Sequence, residues 1–248
     1  LVLVDDGSTD DIKAVVDSFK DSRIILHRFS ENRGVPHGVN WAFAHATGEL
    51  IQPLAADETI WERKLEWQVA YLDANPGVHC VCGLPQNGPM GERPEWEMYA
   101  LMAHNRSKEA WIRTLMNLDH IPIGGCSILV RKSVMDDLGL FEPTLRIFSD
   151  HEWYARLIEK YVFRMVPLRF TNYRIDENSV SAKNPAKAED VNRELSLVHA
   201  RHPVQTPPVF GKVTVGIPVY NMGWCVKDAI DSILAQTVTN WELFILDD

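Results

Sequence analysis

Cysteine is scarce in this chain: four residues, Cys80, Cys82, Cys126 and Cys225, stand among 248. That is too few for a disulfide framework at this length, and it points to a reducing compartment. No apolar run approaches the ~20 residues that a bilayer-spanning helix needs, so the segment is expected to be soluble and cytoplasmic, any membrane association resting on parts outside it. Positive charge is short as well, with 25 Lys and Arg against 34 Asp and Glu and a formal net charge of -9. Nucleic-acid binding depends on clustered cations facing phosphates, so that class is excluded. An acidic ligand would instead need a divalent cation held by some of the carboxylates. The chain also lacks an initiating Met and a leader-like start, and Leu1 is therefore expected to be an interior residue of a longer protein.

What is present is a core's worth of apolar residues, 46% of the chain, arranged in alternating strand-like and helix-like runs. "LVLVDD" leads into "GSTDDIKAVVDSFK", where Ser8 or Thr9 is placed to cap a helix carrying Ile12, Val15, Val16 and Phe19 at helical spacing. "RIILHRF" reads as a strand, "VPHGVNWAFAHATG" as a helix, "ELIQPL" as a strand and "IWERKLEWQVAYLDANPG" as a helix stopped by Pro76 and Gly77. Residues 92–118, rich in Trp and Met, have helical period and read as core, with an acceptor-binding lid as the other possibility. A strand and short helix follow in "IPIGGCSILVRKSVMDDLGLFEP", then a helix in "FSDHEWYARLIEKY". This order predicts an α/β fold: a Rossmann-like, mostly parallel central sheet with helices on both faces and ligands at the carboxyl ends of the strands. His79, Cys80 and Cys82 suggest zinc, but their setting in "GVHCVCGL" is an apolar strand, which makes the cysteines core residues.

The chain closes on nearly the stretch with which it opens, "WELFILDD" against "LVLVDDGSTD". Between them, residues 202–212 are dense in proline and read as a linker. Residues 213–248 then run strand, helix, strand and paired Asp, the piece that ought to precede "DDGSTD". Residues 1–201 thus read as a domain lacking its first strand and helix. Residues 213–248 either begin a second copy or complete the first, within the chain or by exchange with a neighbouring molecule. On the second reading Leu243 to Asp248 are a surplus copy, frayed or paired at an edge.

In order, "LVLVDDGSTDD", "ENRGVPHGVNWAFAHATGELI", "LAADETIWERKLEWQ", "GGCSILVRKSVMDDLGLFEP" and "FSDHEWYARL" resemble the blocks of the inverting family 2 glycosyltransferases of GT-A fold. The block that opens that family, "VTVGIPVYN" through "SILAQTVTNWELFILDD", stands here at the other end. The resemblance implies a nucleotide diphosphate sugar donor, UDP the expected nucleotide, a carbohydrate or glycoconjugate hydroxyl as acceptor, and Mg²⁺ or Mn²⁺. It assigns the metal to Asp57 with help from Glu58, the general base to Asp150, and nucleotide contacts to Asp6, Arg33, Gly34, Pro218 and Tyr220. The chemistry suits these residue types, because a cation stabilises the departing diphosphate and a carboxylate takes the acceptor proton. The sequence departs from the family pattern at Ala55, where an aspartate is usual, and at Ser149, where glutamate is frequent. Near the end of the domain Asp176 stands where a diphosphate-contacting His is common. Two rivals stay open: a noncatalytic nucleotide-sugar-binding module, suggested by Ala55, and a nucleotidyltransferase, which a Gly-rich phosphate loop with a following Lys would support but which no first strand here supplies.

Overall fold

The structure, a computed structural model, describes residues 1–85, 107–116, 123, 125–172, 187–203, 212–221, 223–235 and 240–247. The chain divides into two compact units, Leu1–Val204 and Gln205–Asp248.

In the first unit β1 (Val2–Asp5) lies parallel to β2 (Ile25–Arg28), with Val2 opposite Ile25 and Asp5 opposite Arg28. The crossover between them contains α1 (Ile12–Ser18), as a parallel pair requires. Its cap is Asp11, whose carboxylate accepts the Ala14 N–H at 3.0 Å, and not Ser8 or Thr9. Ser8 is already engaged, since its side chain as well as its N–H hydrogen-bonds the Asp5 carboxylate, the N–H at 2.8 Å. The apolar spacing of α1 does not translate into burial: no residue of the helix is buried, and Val15 and Phe19 are 60% and 69% exposed. α2 (Val35–His45) follows β2.

A five-stranded sheet carries the core, in the order β3 (Leu50–Ile51), β6 (Leu129–Arg131), β5 (Cys80–Pro85), β7 (Phe163–Asn172) and β4 (Thr59–Ile60). Its long β5–β7 ladder is parallel, while β3–β6, β5–β6 and β4–β7 are short antiparallel pairs. The sheet is therefore mixed, its parallel ladder enclosing the crossover helices and its antiparallel contacts added at the flanks. Between the strands run α3 (Lys64–Ala74), α4 (Lys108–Met116), a 3₁₀ turn (Gly125–Ser127), α5 (Lys132–Leu138), α6 (Ser149–Lys160) and, after β7, α7 (Ala188–Arg201). Helix α3 begins later than the sequence suggests because Thr59 and Ile60 pair with Asn172 and Thr171. Of the helix expected over 92–118, residues 92–106 and 117–118 lie outside the described residues.

Strand alternation splits the core in two. Cys80, Cys82 and Leu84 face a cluster built from Trp111, Trp153, Tyr154 and Leu157, whereas Val81 faces Leu72, Leu129 and Phe170. Both sheet faces are thus covered by helices, and the two strand cysteines are core residues as their setting implied.

The second unit is a strand, helix and strand: β8 (Val213–Val219), α8 (Val226–Leu234) and β9 (Trp241–Asp247). β8 and β9 are parallel and paired from Val213–Trp241 to Val219–Asp247. The closing "WELFILD" is accordingly a full strand, not a frayed end.

Candidate active site

At the carboxyl end of β1 two neighbouring aspartates have different tasks. Asp5 is buried; its Oδ1 accepts the Ser8 N–H and its Oδ2 lies 3.2 Å from Arg28 Nε, across the β1–β2 ladder. The Ser8 hydrogen bonds, aided by the Arg28 charge and against burial, hold this carboxyl below its usual range. Asp6 reaches instead to the loop before α2, where its two carboxylate oxygens accept the N–H groups of Arg33 and Gly34, each at 2.8 Å. Gly34 caps α2 at φ +92°, a conformation that side chains rarely adopt. Gly7, at φ +76°, is required by contact as well: a Cβ there would sit 2.6 Å from the Glu31 carbonyl carbon. The Arg33 guanidinium lies over the Phe29 ring at 5.0 Å. Asp6, Arg33 and Gly34, separated by 27 and 28 positions, are one cluster at the amino end of α2, where helix N–H groups favour an anion.

The second cluster follows β3. A turn closed by the Glu58 N–H on the Ala55 carbonyl, at 3.2 Å, presents Asp57 to solvent and leaves Glu58 half-buried. Burial raises the Glu58 carboxyl, the Asp57 charge adds to the rise, and contact with the Cys126 thiol opposes it. Ala55 is tied to the same thiol, its N–H pointing at Cys126 Sγ at 3.1 Å. Burial pushes that thiol up to about 12, so it is an inert packing group. Beneath the loop Lys64 is fully buried, donating to Gln52 Oε1, Gln68 Oε1 at 2.6 Å and the Ile128 carbonyl at 3.3 Å. Burial pushes the Lys64 amine down to about 7, opposed by the nearby Cys126, Cys80 and Cys82 sulfurs. Among the described residues no group of three or more His, Cys, Asp or Glu side chains is gathered to hold a metal. An adjacent carboxylate pair still fits Mg²⁺ or Mn²⁺ chemistry, since Mg²⁺ is usually bound by one or two carboxylates together with substrate phosphates.

The third cluster is the start of α6. Asp150 stands in its first turn, partly exposed, and its Oδ1 accepts the His151 N–H at 2.8 Å and lies 2.9 Å from His151 Nδ1. One turn on, Tyr154 is buried, and its phenol is raised by burial first and by the Asp150 charge second. A Cβ on Gly125 would stand 3.3 Å from the Tyr154 hydroxyl. The Gly125–Ser127 turn therefore touches the Ala55–Glu58 loop through Cys126 and the Asp150 helix through Tyr154. A cavity of ≈ 260 Å³ between α2 and α5, lined by Phe43, Ile51, Met135 and Leu140 among others, includes none of these residues.

Residues 1–138 match the family model described as glycosyl transferase family 2. The chain belongs to that family. It is 27% identical over 161 residues to an uncharacterised glycosyltransferase of Rickettsia typhi, covering 64% of this chain and 49% of the relative. It is 28% identical over 173 residues to the succinoglycan biosynthesis protein ExoU of Rhizobium meliloti, covering 64% of this chain and 48% of that protein. The chain thus spans about half the length of these curated relatives. Among solved structures it resembles S. aureus TarS 1-349 in complex with UDP-GlcNAc, with a TM-score of 0.62 and 16% identity over 80% of this chain and 56% of that one. The mannosyltransferase PcManGT from Pyrobaculum calidifontis, in complex with GDP-Man and Mn²⁺, gives 0.56 and 21% over 83% and 55%. These likenesses establish the GT-A fold.

For a family 2 chain, the sequence named the candidate residues of the three clusters but missed what holds them. Arg28 was legible only through the β1–β2 register, and Lys64 hid in a helix that reads as amphipathic. Asn40, whose side chain both donates to and accepts from the Phe141 backbone at 2.8 Å, ties α2 to a segment 101 positions away. Pro218 and Tyr220 lie in the second unit, at and just beyond the end of β8, with Tyr220 69% exposed. Asp176 falls outside the described residues.

Proposed function

We propose that this chain transfers a sugar, with inversion, from a nucleotide diphosphate donor to a hydroxyl of a carbohydrate or glycoconjugate, UDP being the nucleotide. The observation that carries the reading is the closure of the Arg33–Gly34 loop onto Asp6 at the carboxyl end of β1, a parallel strand, where donors bind in such sheets. The UDP-GlcNAc and GDP-Man held by TarS and PcManGT support a nucleotide-sugar donor. In the displacement Asp150 takes the acceptor O–H proton, the acceptor oxygen bonds to the anomeric carbon, and the bond from that carbon to the diphosphate oxygen breaks. Asp57, with Glu58, would hold the Mg²⁺ or Mn²⁺ that neutralises the departing diphosphate.

Residues 213–248 open a second copy of the domain, because β8, α8 and β9 repeat the order in which the family begins. Pro218 and Tyr220 are then nucleotide contacts of that copy, and the unit is also the place where chains would associate. A noncatalytic donor-binding module is the second reading, favoured by Ala55 where an aspartate is usual. A release assay separates the possibilities: UDP marks glycosyl transfer, inorganic pyrophosphate marks nucleotidyl transfer, and retained donor binding without release marks a module.

A further inference from the structure

Asp150 is only as well placed as the segment that delivers it. That segment, residues 145–148, has no ladder partner, and its backbone donors must find acceptors elsewhere. Three of them converge on one side chain of α7. Glu194 Oε1 accepts the Arg146 N–H at 3.0 Å, and Oε2 accepts those of Ile147 at 2.8 Å and Phe148 at 3.2 Å. Glu194 is 1% exposed, and among the described residues its ion pair is with Arg193, at 3.9 Å. Phe148 is the residue that caps α6, so the clamp ends two positions before Asp150. An ionised carboxylate is an acceptor without donors and suits three converging N–H groups; a glutamine would turn two N–H donors of its own towards them.

We infer that Glu194 is a positioning residue for the reaction: by gathering the Arg146, Ile147 and Phe148 amides it fixes where α6 starts and hence where the Asp150 carboxylate stands. The inference rests on the proposed role of Asp150 as base. Glu194 touches neither donor nor acceptor in this scheme and acts only through Asp150. A misplacement near 1 Å is enough to cost a reaction on the order of 10²-fold.

The test is a kinetic cycle on the whole chain, with UDP-N-acetylglucosamine and Mn²⁺ as probe and water as acceptor, read as UDP release. Glu194→Gln is expected to lower kcat roughly 10- to 100-fold while the donor KM stays within about twofold. Asp150→Asn is expected to lower kcat by about 10²-fold, and adding Glu194→Gln to it should bring no further loss, as for residues acting as one unit. Glu194→Asp, which keeps the charge, should recover part of the rate, and it carries the same cycle if the glutamine variant does not fold. Equal losses with and without the Asp150 carboxylate, or a rise in KM at constant kcat, would overturn the positioning role. If Asp150→Asn leaves kcat unchanged while Glu194→Gln lowers it, the base assignment is what fails, and this inference goes with it.

Discussion

Gly7 is the residue at which the turn after β1 meets the Glu31–Gly34 loop. With φ at +76° and a Cβ position 2.6 Å from a backbone carbon of Glu31, it admits neither a side chain nor a shift of that chain into flexible atoms. Gly7→Ala is expected to destabilise the first unit by about 1–3 kcal/mol, the usual range for backbone strain of this kind, and to weaken UDP binding with it. Urea denaturation and a UDP titration of the same preparation measure both. Asp57 and Glu58 predict a graded pair of effects. Asp57→Ala should abolish the Mn²⁺ dependence of donor binding, and Glu58→Ala, whose half-buried carboxyl is raised by burial and by Asp57, should weaken it less. A wild-type chain whose donor binding is indifferent to chelator would remove the metal from the mechanism. The thiols are a quieter case: burial raises Cys80, Cys82 and Cys126, so brief iodoacetamide treatment of the folded chain at neutral pH should leave all three unmodified by mass spectrometry.

Among the elements, α6 and α7 are joined at both ends of their contact. Glu194 holds the start of α6, and at the far end His202, just past α7, sits buried with Nδ1 2.8 Å from Glu159 and Nε2 3.7 Å from Glu152. Arg156 pairs with Glu152 at 2.8 Å, and Arg201 lies 3.8 Å from it. The carboxylate of Glu152 raises the imidazole, Glu159 adds to the rise, and burial opposes both. A histidine whose folded pKa is raised stabilises the fold fully below its unfolded value of about 6.5 and loses that contribution as pH climbs through the folded value. The urea midpoint of the chain is therefore expected to fall between pH 6 and pH 8.5 by more than that of His202→Asn. Parallel curves for the two proteins would show that the imidazole contributes no pH-dependent stability.

On the scale of the molecule, every described ladder of the first unit closes within residues 1–172, and β8 finds its partner in β9. Deleting Gln205–Asp248 removes both strands of one ladder and neither strand of any other. The truncated chain is expected to unfold cooperatively by circular dichroism; an insoluble or noncooperative product would mean that the second unit completes the first. The sequence by itself determined the βα order, the acidic loops after β1 and β3 and the family to which they belong. Each of these rests on local periodicity, turn chemistry or a run of neighbouring residues. Only the tertiary structure decided that α1 keeps Val15 and Phe19 exposed, that Asp11 rather than Ser8 caps it, and that β4 delays α3. The same holds for the buried Lys64, the Asn40 tie to Phe141 and the Glu194 clamp on the Asp150 helix. Those features join groups up to 101 positions apart, and a donor finds its acceptor across such a gap through packing and strand register, which no local pattern encodes.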